Sequence, residues 1–288
     1  MRVAMLGFGL IGGSIARALA AYAPGAWTVT AWTPTGRGPA AAAADGVVIA
    51  AASPEAALAA ADLVVLAAPP MVCIALLDDL AGPWGRLLGP TAVVTDVAST
   101  KTAITLRAGA LGLPFVGGHP MAGSEQTGYA AASADLLLGR PWVIVPSAAP
   151  VMDERVRSLA LACRAEPLEM AAADHDRAVA AISHLPLVAA AALVGSVAGD
   201  AGDPRGDWPT ARRLAAGGWR DMTRLARGDV AMGADIATTN AAALAVRVRA
   251  YIKTLEGWVA DLEAEGGPDR DALEARLRSA RASLDRTP

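Results

Sequence analysis

A doubly wound parallel α/β sheet followed by an all-helical segment is the fold class that this sequence predicts. Three observations lead there. Short apolar runs alternate with helical ones through the first 170 residues. A glycine-rich turn follows directly on the first of those runs. Strand-like signals then stop, and Ala- and Leu-rich helical patterns fill the remainder. Apolar strands separated by helices imply a parallel sheet covered on both faces.

Taken in order, RVAML (Arg2–Leu6) reads as a buried strand, and LIGGSIARALAAY after it as a helix. Trp27–Trp32, Asp62–Ala68, Thr91–Val97 and Pro141–Pro146 are further strands, rich in Val, Ile and Trp. FVGG is a strand-like piece just before His119. A long helix is expected from DHDRAVAAISH to about Ala198, bent at Pro186, which has no N–H to donate. GDAGDPRGDWP reads as a loop. Helices are expected around Trp219–Arg227 and Ala231–Glu265, with a break at EGGP. The last segment sets Leu273, Leu277, Ala280 and Leu284 on one stripe flanked by charges of both signs.

Composition narrows the function. A chain of 288 residues can bury a substantial core as one large domain or two ordinary ones. Its net charge of −3 offers no footprint for nucleic acid. Cys73 and Cys163 lack metal or redox spacing, which fits a reducing compartment. The N-terminus enters a strand at its second residue and shows no signal-peptide pattern. AVAAISHLPLVAAAALVGSVAG contains a His and a Pro and reads as a buried helix rather than a membrane span. A soluble cytoplasmic protein is expected. A helical second domain of this composition is poorly suited to standing alone, so a homodimer is expected as well.

GFGLIG matches G-x-G-x-x-G between a strand and a helix. Gly7, Gly9 and Gly12 permit a tight turn and close approach to a pyrophosphate. Leu10 and Ile11 open the helix whose N-terminus receives it. The pattern predicts a Rossmann-type NAD(P)-binding domain over residues 1–170, with an all-helical second domain over 171–288. An NAD site normally has an acid at the end of the second strand to hold the ribose 2′-hydroxyl. Here the strand ends AWTPTGR, and the first acidic residue of the chain is Asp45. Thr33, Thr35 and Arg37 suit a 2′-phosphate, which favours NADP over NAD; the bland alternative for Arg37 is a solvated loop residue.

VTDVASTK puts Asp96, Ser99 and Lys101 at the carboxyl edge of the sheet, where open α/β folds bind ligands. Ser99 can also cap the helix that begins near Lys101. His119, set in VGGHPMAGSEQTG, reaches the same edge and is a candidate proton acceptor beside a nicotinamide site. No metal-ligand spacing is present in the sequence.

Together GFGLIGGS, VTDVASTK, GGHPMAGSEQTG, DHDRAVAAISHLP and GGWRDMTRLA resemble the prephenate/arogenate dehydrogenase family of tyrosine biosynthesis, in family order over most of the chain. The resemblance implies oxidative decarboxylation of a cyclohexadienol, yielding tyrosine or 4-hydroxyphenylpyruvate. It implies that His119 contacts the C4 hydroxyl and that Ser99 orients His119 near the nicotinamide. Ser124, Glu125 and His175 then belong to the substrate pocket, Arg224 to the ring carboxylate, and Arg220 to a basic position nearby. Arg220 and Arg224 are i and i+4, one helix face, for which a solvated basic surface is the alternative. His175 and His184 are nine residues apart and would face opposite ways on a straight helix, and His184 reads as a core histidine. Some prephenate-specific relatives read SHLPH where this chain has Leu187; SHLP before an aliphatic residue resembles the NADP-using arogenate enzymes. Two alternatives remain at this stage: the same chemistry on an aminated prephenate analogue, and an inactive nucleotide-sensing homologue. A β-hydroxyacid dehydrogenase would place a lysine on the first helices after the Rossmann domain, and the only lysines are Lys101 and Lys253.

Overall fold

The computed structural model describes residues 1–124, 126–199 and 208–285. Glu125 and most of the GDAGDPRGDWP loop lie outside the described residues. In chain order the first elements are β1 (Arg2–Leu6), α1 (Leu10–Tyr22), β2 (Thr28–Trp32), α2 (Arg37–Ala44), β3 (Ile49–Ala50) and α3 (Pro54–Leu58). They are followed by β4 (Leu63–Leu66), α4 (Pro70–Ala81), β5 (Val93–Asp96), α5 (Thr102–Ala110), β6 (Phe115–Pro120), β7 (Pro141–Val145), α6 (Pro150–Ala162) and β8 (Glu166–Glu169). The sheet order is β3-β2-β1-β4-β5-β6-β7-β8. The order reverses between β1 and β4, the switch point at which doubly wound sheets bind their ligands.

The parallel sheet predicted from the sequence is present, with one antiparallel pair, β6 against β7. Strands β4 and β5 are buried at every residue, as LVVL and VVTD. That burial is why they read as continuous apolar runs with no alternation. The two edge strands were not legible: β3 has two residues, and β8 is EPLE, which is mostly exposed.

The helices that follow are α7 (Ala172–Val179), α8 (Leu185–Ala198), α9 (Trp208–Leu214), α10 (Gly217–Thr223), α11 (Val230–Thr239), α12 (Ala241–Leu262) and α13 (Arg270–Asp285). The single bent helix expected around Pro186 is divided by a π-helical turn, Ala180–His184, and Pro186 sits in the first turn of α8. A π turn before a proline re-routes the backbone bonds that the ring cannot make. The stretch expected as one helix from Ala231 breaks at Asn240, which ends α11 with φ −121° and ψ 29°. Arg220 lies in α10, whereas Arg224 opens a 3-10 turn, Arg224–Arg227, so the pair straddles a junction instead of sharing one uninterrupted face.

Ala172–Ala198 is long and apolar enough to cross a membrane by length and composition. Its first half, however, carries His175, Asp176 and His184, all buried. The expectation of a buried α8 is corrected: only Ala190 of that helix is buried, which leaves an apolar surface uncovered within the single chain. By internal packing the chain forms two compact units, residues 1–241 and 242–288. In the second unit Arg276 pairs with Asp261 and donates to the Gly257 carbonyl at 3.0 Å, joining α13 to α12.

Candidate active site

The glycine turn comes first. Gly7 has φ +87°, and a Cβ there would lie 2.5 Å from the Ala67 carbonyl oxygen, so the β1–α1 turn tolerates no side chain. A Cβ on Gly12 would meet Ala67 Cβ at 3.1 Å, which fixes how closely α1 packs on the sheet. Gly9, the α1 N-cap, has open space before it, and no acidic residue occupies the first turn. Leu10 and Ile11 begin the helix, whose N–H groups at this end have no side-chain cap. That is the arrangement a pyrophosphate requires.

Past the end of β2 lies a cavity of about 600 Å³ whose lining includes Thr33, Thr35 and Arg37. Thr33 Oγ1 accepts from the Gly36 N–H at 3.1 Å, shaping the turn into α2. Arg37 is exposed and makes no ion pair among the described residues. The same cavity is lined by Arg17, Asp45 and Tyr129, which sequence reading did not assign to it.

His119 lies near the end of β6, with Gly117 and Gly118 before it in the same strand. These glycines make room for protein, not for a ligand. A Cβ on Gly118 would meet the Asp96 carbonyl oxygen at 2.6 Å and Trp142 Nε1 at 3.2 Å. A Cβ on Gly117 would meet Val145 at 3.2 Å. His119 Nδ1 is 2.8 Å from His175 Nε2, and the two rings meet edge-on with centroids 5.1 Å apart. His175 Nδ1 is 2.8 Å from Asp176 Oδ1. At Nδ1, then, the partner of His119 is His175. Ser99 is half-buried and makes no side-chain hydrogen bond among the described residues. Nor does Ser99 cap α5: that helix is capped from outside, by Asp176. The Lys101 and Thr102 N–H groups each donate to the Asp176 carboxylate at 2.8 Å.

These contacts fix the protons. Burial alone would raise the Asp176 carboxyl, but hydrogen bonds from His175, Thr102 and Lys101 outweigh it and bring its pKa to about 2. As a carboxylate Asp176 can only accept, so His175 donates from Nδ1. In neutral His175, Nε2 is then an acceptor, and His119 must donate to it from Nδ1. The remaining lone pair of His119 is on Nε2, which has no partner among the described residues and keeps some exposed surface. Burial, together with the Lys101 ammonium and the neighbouring histidines, holds His119 well below its ordinary pKa. The site thus presents an uncharged imidazole with its acceptor nitrogen free.

A second chain of contacts supports it. Lys101 and Asp96 form an ion pair with both side chains fully buried. Asp96 also accepts from the Ala98 and Gly118 N–H groups, each at 3.1 Å, so the buried carboxylate is hydrogen-bonded on both oxygens. Removing one partner of such a pair costs about 3–5 kcal/mol. Asn240 donates to the Asp176 carbonyl at 2.8 Å and lies 3.1 Å from His184 Nδ1. His184 is thus a buried histidine, as the sequence suggested, but only half satisfied: its Nε2 is buried without a partner among the described residues. Burial lowers His184 to about 4.

Ser124 is exposed, and its hydroxyl accepts from the Gln126 N–H at 3.1 Å. Arg220 and Arg224 are both exposed. Among the residues that sequence reasoning missed, Asp176 carried a local signal, an acid flanking His175; Asn240 carried none, because its role depends on where α11 ends.

Fold and glycine turn together define a Rossmann-type nucleotide-binding protein with a helical segment appended. Residues 15–165 match the sequence model of the prephenate dehydrogenase nucleotide-binding domain, and residues 171–277 that of the prephenate dehydrogenase dimerization domain. The chain belongs to the prephenate dehydrogenase family. It is 34% identical over 170 residues to the prephenate dehydrogenase of Bacillus subtilis, a match covering 57% of this chain and 44% of that protein. The chain thus spans less than half the length of that relative. It is 30% identical to the cyclohexadienyl dehydrogenase of Zymomonas mobilis, over 98% of this chain and 89% of that one. The crystal structure of Synechocystis arogenate dehydrogenase is similar over 99% of both chains, with a TM-score of 0.79 at 30% identity.

Proposed function

We propose that the chain is a homodimeric, NADP-preferring enzyme of tyrosine biosynthesis that oxidatively decarboxylates arogenate, prephenate or both. The observation that carries this reading is the Asp176–His175–His119 chain ending in a free Nε2 at the sheet edge that also holds the glycine turn. Bound NADP supplies the acceptor for the hydride that leaves C4 of the substrate. His119 Nε2 takes the C4 hydroxyl proton as that carbon becomes trigonal. The bond from C1 to its carboxylate then breaks, CO₂ leaves, and the electron pair aromatises the ring. The phenolate oxygen so formed takes the proton back, leaving His119 neutral for the next turnover. Aromatisation drives the reaction, so the protein has to orient C4, hold one proton and bind carboxylates.

Arg224 is assigned to the ring carboxylate, with Arg220 beside it; Ser124, Glu125 and His175 are assigned to the substrate pocket, and Ser99 to the nicotinamide side of His119. Gly7, Gly9, Leu10, Ile11 and Gly12 would hold the pyrophosphate, and Thr33, Thr35 and Arg37 the 2′-phosphate. The domain division is 1–170 for the nucleotide and 171–288 for substrate and dimer contacts. Exposed Ile252, Leu255, Val259 and Leu262, on one stripe of α12, support a dimer. Buried free thiols at Cys73 and Cys163 suit the cytoplasm.

Purified protein incubated with each substrate and each cofactor, with nicotinamide absorbance followed, tests the proposal. NADP is expected to be reduced faster than NAD with at least one substrate; reduction of neither cofactor with either substrate would refute it. Arg224→Ala is expected to act mainly on KM. An unchanged KM would remove Arg224 from the carboxylate.

A further inference from the structure

The cavity beyond β2 has a second wall that the glycine motif does not describe. Arg17, on α1, lines it together with Arg37. Arg17 is fixed twice: Nη2 pairs with Asp45 Oδ2 at 2.9 Å, and its guanidinium lies 4.5 Å from the centroid of the Tyr129 ring. Tyr129 in turn donates its hydroxyl to Asp45 Oδ2 at 2.8 Å and stacks on Phe8, within the glycine turn, at 5.5 Å between centroids. The close packing extends to α1, where a Cβ on Gly13 would lie 2.7 Å from Tyr129 Cδ2.

Asp45 is the chain's first acidic residue, and it does not stand at the end of β2, where an acid would grip a ribose 2′-hydroxyl. It is the C-cap of α2, and its carboxylate is occupied by Arg17 and Tyr129. Two guanidinium groups and one carboxylate line the cavity, so it carries a net positive charge with the acid already neutralised. A planar guanidinium whose side chain stays 33% exposed while it is ion-paired is suited to phosphate oxygens.

We propose that Arg17, held by Asp45 and Tyr129, is a second anion-binding residue of this cavity and reads, with Arg37, a phosphate monoester on the adenosine ribose. This deepens the NADP reading and rests on it. Asp45 serves as the positioning residue that keeps Arg17 on the cavity wall, and Tyr129 as the platform beneath it.

The test is direct binding of 2′,5′-ADP and of 5′-ADP to the full chain by calorimetry, without substrate. Arg17→Met is expected to weaken 2′,5′-ADP binding at least tenfold and 5′-ADP binding less than threefold. Asp45→Asn, which releases Arg17 from its partner without removing the cation, is expected to leave 2′,5′-ADP bound at least threefold more tightly than Arg17→Met does. Arg17→Lys keeps the charge without the planar fork and guards against a folding defect; it should fall between wild type and Arg17→Met for 2′,5′-ADP. If Arg17→Met and Arg17→Lys bind 2′,5′-ADP as wild type does while Arg37→Met loses it, the inference about Arg17 fails and the NADP reading stands. If wild type binds 2′,5′-ADP no more tightly than 5′-ADP, the NADP reading itself fails.

Discussion

His119 is defined by its neighbours more than by its own position. Asp176 can only accept, His175 therefore donates to it, and His119 donates to His175, so Nε2 of His119 is left as an open acceptor among the described residues. Replacing His119 with Asn removes that acceptor and is expected to lower turnover ~10²–10⁴-fold, the span for a positioned acid or base. Near-normal turnover in a steady-state assay would take His119 out of the reaction. Gly118 bears on the same residue from behind. Gly118→Ala would drive a methyl group against the Asp96 carbonyl, and the expected loss in a urea melt is about 1–3 kcal/mol. The sequence made His119 legible because a histidine among glycines beside a sheet edge is unusual. The family resemblance pointed to Ser99 as the orienting partner, and no spacing rule connects residue 119 with residue 175.

Among the elements, the π turn at Ala180–His184 matters most. Nine residues along a straight α-helix would set His175 and His184 on opposite faces, yet both are linked through Asp176 and Asn240. A π turn takes more residues per revolution, which removes part of that half-turn offset. Proline alone suggested a kink, and nothing local in AAISH announces a π turn. His184 carries a testable consequence. Its folded pKa of about 4 lies below the ordinary histidine value, so between about 6.5 and 4 the unfolded chain binds the extra proton. Stability is therefore expected to fall as pH drops through that window, and His184→Gln should flatten the decline in urea melts at stepped pH. Asp176 works in the same direction at lower pH. Its depressed pKa of about 2 supplies stability that is present above about 4 and is lost as pH falls towards 2.

For the whole molecule, the central strands were readable because burial on both faces leaves a continuous apolar signature, whereas the two-residue β3 and the exposed β8 leave almost none. The helical half was readable as helix but not in its breaks, since Asn240 and the π turn are set by tertiary contacts. Its exposed apolar surface makes sense in an assembly. Leu255→Glu combined with Val259→Glu is expected to convert a two-chain particle to a single chain in light scattering; an unchanged mass would place the interface elsewhere. The central claim is that a neutral His119, with Nε2 free, takes the substrate proton in an NADP-dependent oxidation. The most direct test is the pH profile of kcat/KM with NADP and the better of the two substrates. Activity is expected to persist well below pH 6.5, because burial and Lys101 keep His119 unprotonated there. An acid limb at or above pH 6.5 would contradict a neutral His119.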